Sequence, residues 1–197
     1  MTFKLGLTGS IGMGKSTTAR LFAEAGCDVW DADVAVHRLY AKDGAAVSPM
    51  QALFPDAISG GIVDRAALRV IIGKEPDALK RIEAIVHPLV QADRAQFVKS
   101  SDADVLVFDI PLLFETGADA AMDAVVCVTV SPQEQEKRVL ERGTMTVDQL
   151  RAIRDKQMPS DEKCARSDFV IETDTLDHAR QQVHDILAQI RKQMTHA

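Results

Sequence analysis

Apolar residues in this chain fall into short dense runs, separated by longer stretches whose apolar positions recur with a helical period. Phe3 to Thr8, Cys27 to Trp30, Asp104 to Ile110, Ala124 to Val130 and Asp168 to Ile171 each read as a strand. The runs alternate too little to leave one face wet, as expected for strands buried on both faces. Between them, Lys15 to Ala25 reads as a helix with Leu21, Phe22 and Ala25 on one face. After Thr175, a suitable N-cap, residues Leu176, Ala179, Val183, Ile186, Leu187, Ile190 and Met194 share one face of a long amphipathic helix. Alternation of buried strands with helices predicts an α/β fold of three layers: a parallel five-stranded sheet covered on both sides.

Two stretches break the alternation. Residues 35–101 are almost all of helical character, interrupted at Pro49, Pro55, Gly60-Gly61 and Gly73, and read as a helical insertion. Residues 132–166 are also helical and carry eight basic side chains (Lys137, Arg138, Arg142, Arg151, Arg154, Lys156, Lys163, Arg166) against five acids (Glu141, Asp148, Asp155, Asp161, Glu162). The expected division is a core of residues 1–34, 102–131 and 167–197, an insertion at 35–101 and a basic segment at 132–166.

Composition narrows the class. Of the 197 residues, 46% are hydrophobic and 26% charged, which suits a soluble globular chain of one domain with an insertion. The formal net charge of −6 argues against a nucleic-acid surface. The apolar run at Phe3 to Leu7 contains Lys4, and that at Val105 to Phe114 is broken by Asp109 and Pro111, so neither is a signal peptide or a membrane span. Cys27, Cys127 and Cys164 are far apart and odd in number, without metal-ligand spacing. Reduced thiols and a cytoplasmic setting are expected.

The chemistry begins at Gly9. Gly9-Ser10-Ile11-Gly12-Met13-Gly14-Lys15-Ser16-Thr17 matches G-x-x-x-x-G-K-[ST], with an apolar strand leading in and an amphipathic helix leading out. In such a P-loop the glycines allow the backbone to turn and to approach phosphate closely. Backbone N–H groups from Ile11 through Thr17 form an anion nest, and the helix beginning near Lys15 adds free donors and the positive end of its dipole. The Lys15 ammonium is expected to bridge the β- and γ-phosphates of a nucleoside triphosphate, and the Ser16 hydroxyl to ligate Mg²⁺. No Asn-Lys-x-Asp motif for reading guanine is present. A small size, a helical insertion and a basic segment together suggest a small-molecule kinase, with the insertion holding the acceptor and the basic segment closing over phosphates as a lid.

From there the chain resembles a known family, dephospho-coenzyme A kinase, nearly end to end. The resemblance is carried by Leu5 to Thr17 and by Asp31-Ala32-Asp33 with His37 after the second strand. It continues through His87-Pro88-Leu89-Val90 in the insertion and Asp109-Ile110-Pro111-Leu112-Leu113-Phe114-Glu115 after the third strand. Arg138, Arg142, Gln157-Met158-Pro159, Lys163 and the last strand from Arg166 to Ile171 complete it. Ser10 and Met13 depart from the family's usual residues, as do Thr173, Asp174 and Thr175, which stand where Asn and Gly are common.

That resemblance implies transfer of a phosphoryl group from ATP to the ribose 3′-hydroxyl of dephospho-coenzyme A, with Mg²⁺ as cofactor. It implies catalytic roles for Lys15, Asp33 and Arg142, and acceptor contacts from Asp33, His87 and Leu113. Asp33, just past the second strand, suits a carboxylate that orients or deprotonates the attacking hydroxyl, or alternatively an N-cap for a helix from Val34 to Ala41. Asp31 is a second candidate for the acceptor role. Asp109, at the end of a buried strand, suits a Mg²⁺-side carboxylate or a cap for the following turn. His87 precedes Pro88 in what reads as the first turn of a helix.

Overall fold

A computed structural model describes residues 2–143, 145–154 and 157–195. Asp155 and Lys156 of the basic segment lie outside the described residues. The chain divides into two compact units, residues 1–30 with 102–197, and residues 31–101.

The first unit holds a five-stranded sheet, built from β1 (Phe3–Thr8), β2 (Asp28–Asp31), β5 (Val105–Asp109), β6 (Ala124–Thr129) and β7 (Phe169–Glu172) in the order β2-β5-β1-β6-β7. β1 pairs in parallel with β5, bringing Leu7 beside Asp109, and in parallel with β6, bringing Thr8 beside Cys127. β6 pairs in parallel with β7. The chain therefore leaves β1 at the middle of the sheet, on the edge where β5 and β6 also end.

Successive side chains of a strand point to opposite faces. Leu5 and Leu7 of β1, Val105 and Val107 of β5, Val126 and Val128 of β6 and Ile171 of β7 join one core cluster. That cluster is closed by Leu21 and Phe22 of α1 (Lys15–Glu24) and by Val183, Ile186, Leu187 and Ile190 of α9 (Leu176–Met194). Thr175 caps α9, its hydroxyl accepting from the His178 N–H at 3.2 Å. On the other face, a Cβ on Gly6 would come within 2.9 Å of Leu113, which clusters with Phe114 and Val125. Trp30 packs on Phe108 with ring centroids 6.1 Å apart.

Residues 132–166 contribute α6 (Pro132–Glu141), α7 (Val147–Arg154) and α8 (Ser160–Arg166). Lys163 of α8 is fully buried. Its ammonium donates to Glu115 Oε1 at 2.9 Å and to the Pro111 carbonyl at 3.0 Å. The same Glu115 oxygen accepts the Met158 N–H at 3.0 Å, so one carboxylate joins the loop after β5 to the approach to α8. The neighbouring Cys164 lies with its Sγ 3.5 Å from that of Cys127 on β6. The structure thus corrects the view of three scattered cysteines: two of them meet, both as free thiols.

The second unit contains α2 (Ala32–Tyr40), α3 (Val47–Leu53), α4 (Arg65–Lys74) and α5 (Ala78–Ser100), packed around Leu39, Met50, Phe54, Leu68, Ile82 and Val86. Arg38 of α2 pairs with Asp93 of α5 at 2.7 Å. The unit is almost all helical, as its sequence suggests, with one short hairpin added. β3 (Ile58–Ser59) and β4 (Ile62–Val63) form an antiparallel hairpin around Gly60-Gly61, whose φ angles of 59° and 79° suit a two-residue turn that few other residues adopt. Pro88 is also corrected. It lies inside α5 rather than in a first turn. A proline there removes the donor for the Ala84 carbonyl, a cost eased by the exposure of both Ala84 and Pro88. Ile82, Ile85, Val86, Leu89 and Val90 keep the buried stripe running past it.

Burial raises the Glu115 carboxyl, but hydrogen bonds from Lys163 and the Met158 backbone outweigh this and hold it below its ordinary 4.5. The stabilisation is present above that value and drains away as pH falls through the lower folded one. Lys163→Met leaves Glu115 without its cation, and should lower the unfolding free energy by about 3 kcal/mol at neutral pH, measured by urea titration. A loss within experimental error would show that the pair holds nothing in place.

Candidate functional site

β1 ends at Thr8 and α1 begins at Lys15, so the glycine-rich segment is the turn between a central strand and a helix. Gly14 is the N-cap of α1, with φ at 89°, and among the described residues no side chain caps the helix. A glycine here avoids both left-handed strain and a clash, because a Cβ would fall 2.9 Å from Thr173 Oγ1. Gly12, with φ at 77°, is equally confined: a Cβ would meet Val139 Cγ2 at 2.6 Å. The first-turn N–H groups of α1 are the donors a helix start cannot satisfy internally.

Lys15 forms an ion pair with Asp109 at the end of β5, and Asp109 is only 1% exposed. The turn is fastened at two carbonyls. Gln135 Nε2 of α6 donates to the Ile11 carbonyl at 2.6 Å, and Thr173 Oγ1, after β7, donates to the Met13 carbonyl at 2.8 Å. Ser16 and Thr17 are exposed on the first turn of α1.

Two clefts flank this turn. One, of about 290 Å³, is lined by Gly14, Thr17, Thr18, Arg138, Arg142 and the Thr173–Leu176 segment. Its Arg138 is fixed, donating to Thr173 Oγ1 at 3.0 Å, to the Thr173 carbonyl at 2.6 Å and to Glu134 at 3.0 Å. The other, of about 310 Å³, is lined by Ser10, Met13, Gln135, Arg154 and the Gln157–Ser160 segment. There Arg154 donates to Gln135 Oε1. Arg142, for which the family resemblance implies a catalytic role, lines the first cleft as an exposed side chain. Arg138 and Arg154 are held against the walls of the two clefts.

Asp31, not Asp33, caps α2: its Oδ1 accepts the Val34 N–H at 2.9 Å. The N-cap alternative for Asp33 is therefore wrong, because the helix begins at Ala32, two residues earlier than expected. Asp33 stands exposed in the first turn. His87 is exposed on α5. The Leu113 side chain is fully buried and turned into the cluster with Phe114 and Val125. Sequence reasoning passed over Gln135 and took Thr173 only as a departure from a family pattern. Gln135 stands one turn into a helix beginning with Ser131-Pro132, but nothing in its neighbours marks it as a contact of the phosphate turn.

A parallel sheet with a glycine-rich turn after its central strand, a lysine opening the next helix and a buried carboxylate on the adjacent strand define a P-loop fold. Comparison with known proteins narrows the class. The family model described as CoaE, dephospho-CoA kinase, matches residues 3–178. A dephospho-CoA kinase of Ruegeria pomeroyi is 67% identical over 197 residues, covering 100% of both chains. The chain belongs to the dephospho-CoA kinase family. Among solved structures, TT1252 from Thermus thermophilus shares 31% identity and superposes with a TM-score of 0.85, over 95% of this chain and 97% of that one. A dephospho-CoA kinase from Campylobacter jejuni, 24% identical with a TM-score of 0.72 over 98% of both chains, shares the fold.

Proposed function

We propose that this chain transfers the γ-phosphoryl group of ATP to the ribose 3′-hydroxyl of dephospho-coenzyme A, giving coenzyme A and ADP, the last step of coenzyme A biosynthesis. The observation that carries the reading is the turn from Gly9 to Thr17 with its Lys15–Asp109 pair, in a chain that matches the family along its whole length. A cytoplasmic setting accords with the free thiols. Among the described residues, no helix is long and apolar enough to cross a membrane.

The triphosphate is assigned to the backbone donors of Gly9, Ile11, Gly12, Met13, Gly14, Lys15, Ser16 and Thr17. The adenosine is assigned to the 290 Å³ cleft, where the fixed Arg138 and the Thr173–Leu176 segment form the wall. Lys15 exchanges Asp109 for β- and γ-phosphate oxygens, a swap of one anionic partner for another. Ser16 and Asp109 offer hard oxygen donors, the kind Mg²⁺ takes together with phosphate oxygens. Bound there, the ion would neutralise charge on the phosphates. Arg142 lines the same cleft from the basic segment, and its guanidinium supplies charge to the transferring group.

On the acceptor side, Asp33 orients the 3′-hydroxyl and takes its proton. Its carboxylate is exposed and is not the one that caps α2. His87 offers an exposed imidazole for the acceptor. The part of Leu113 in this scheme is to support the loop after β5, with any ligand contact made by its backbone, because its side chain is buried.

A coupled assay of ADP release tests the reading. Dephospho-coenzyme A should give turnover and nucleoside monophosphates none. The reverse would make the chain a nucleotide kinase, and ATP binding without turnover on any pantetheine-containing acceptor would make it a binding protein. Two variants separate the donor and acceptor halves. Asp33→Ala should lower kcat by about 100-fold or more with ATP affinity nearly unchanged, whereas Lys15→Ala should weaken ATP handling directly. Equal loss of turnover and affinity in Asp33→Ala would make Asp33 a folding residue.

A further inference from the structure

A P-loop binds phosphate only if its peptide N–H groups point into the turn, and nothing within the turn itself guarantees that. Among the described residues, the backbone hydrogen bond within the loop runs from the Met13 N–H to the Ser10 carbonyl at 3.2 Å. Each peptide unit is planar and trans, so its C=O and N–H point in opposite directions. Holding one carbonyl outward therefore aims the next residue's N–H inward. Two carbonyls of the turn are held in this way from outside. The Ile11 carbonyl is bound by Gln135, which fixes the Ile11–Gly12 peptide, and the Met13 carbonyl by Thr173, which fixes the Met13–Gly14 peptide.

The chemistry of each contact favours one orientation. An arginine can only donate, so the Gln135 oxygen must face Arg154, and its amide nitrogen must then face the Ile11 carbonyl, which can only accept. Gln135 is 2% exposed. The Thr173 hydroxyl accepts from Arg138 Nη1 at 3.0 Å, which commits its single hydrogen to a carbonyl. The Met13 oxygen at 2.8 Å lies nearer than the Thr129 oxygen at 3.3 Å. Both side chains also touch the glycines whose N–H groups they aim. A Cβ on Gly12 would meet Gln135 Cγ at 3.3 Å, and one on Gly14 would meet Thr173 Oγ1 at 2.9 Å.

We infer that Gln135 and Thr173 are positioning residues that preorganise the phosphate nest, by pinning the Ile11 and Met13 carbonyls so that the Gly12 and Gly14 N–H groups converge on the anion. Neither acts on the phosphate itself. Each acts through a peptide plane, and each reaches the turn from a different element, α6 and the segment after β7. The arginines are the outer tier of the same device. Arg154 orients the Gln135 amide and Arg138 orients the Thr173 hydroxyl, so two cations of the basic segment are coupled to the shape of the turn before any phosphate arrives. Without the pins, the peptides are free to rotate, and the anion must supply the ordering that the side chains now provide.

The inference rests on the turn being a nucleotide phosphate site, and calorimetric titration of the full chain with ADP, AMP and inorganic tripolyphosphate separates the two claims. Thr173→Val keeps the shape and removes the hydroxyl; Gln135→Met keeps the length and removes the amide. Each should weaken ADP and tripolyphosphate by about tenfold, the worth of one buried hydrogen bond, and AMP by less than about twofold. Thr173→Ser, which retains the hydroxyl, should bind ADP like the wild type. Gln135→Met is the independent arm if Thr173→Val does not fold. Variants that bind ADP as the wild type does, or that lose ADP and AMP equally, would overturn the inference and leave the nucleotide reading intact. A wild-type chain that binds neither ADP nor tripolyphosphate would overturn both.

Discussion

Everything in this structure turns on one geometric demand: a strand at the centre of the sheet must pass into a helix through a turn whose N–H groups face an anion and whose side chains stay out of the way. β1 meets the first half of the demand by lying between β5 and β6, with Leu5 and Leu7 fully buried. A strand held on both edges and one face cannot shift, so the turn that follows it has a fixed origin. The second half is met by glycine at positions where Val139 and Thr173 leave no space for a Cβ. Packing this close is informative. The walls around the turn are side chains of α6 and of the segment after β7, which draws distant parts of the chain into the phosphate site.

Charge is arranged with the same economy. Asp109 is buried at the end of the strand beside β1, where an isolated carboxylate would be costly, and Lys15 neutralises it. The pair keeps an ammonium and a carboxylate side by side at the turn. Lys163 and Glu115 repeat the motif one layer away with a different result. Their contacts with Pro111 and Met158 are all internal, so that pair braces the loop after β5 against α8.

How far the sequence disclosed this follows from the range of the interactions involved. β1 was legible to the residue, because a dense apolar run bounded by a glycine turn leaves few alternatives. The P-loop was legible because its residue types are imposed by backbone geometry within nine consecutive positions. The hairpin at Ile58–Val63 was missed because strands of two residues carry no period. Pro88 misled because a proline on an exposed helix face costs one backbone hydrogen bond, while the buried stripe beneath it runs on. Asp33 suits a cap only if α2 starts at Val34, and its actual start at Ala32 gives the cap to Asp31. Gln135 and Thr173 were out of reach for another reason: their partners lie 124 and 160 residues away, and a polar side chain that will bind a remote carbonyl looks like any other polar side chain. The meeting of Cys127 and Cys164 across 37 residues is invisible for the same reason.

The site makes sense as the donor half of a phosphoryl transfer whose acceptor is a ribose hydroxyl, and the fate of the γ-phosphoryl group tests that most directly. Phosphorus NMR of a reaction containing the chain, ATP, Mg²⁺ and dephospho-coenzyme A follows it. The account predicts a new phosphomonoester resonance on the ribose 3′-oxygen, growing in step with ADP. Release of the same phosphorus as inorganic phosphate, with the acceptor unchanged, would contradict it.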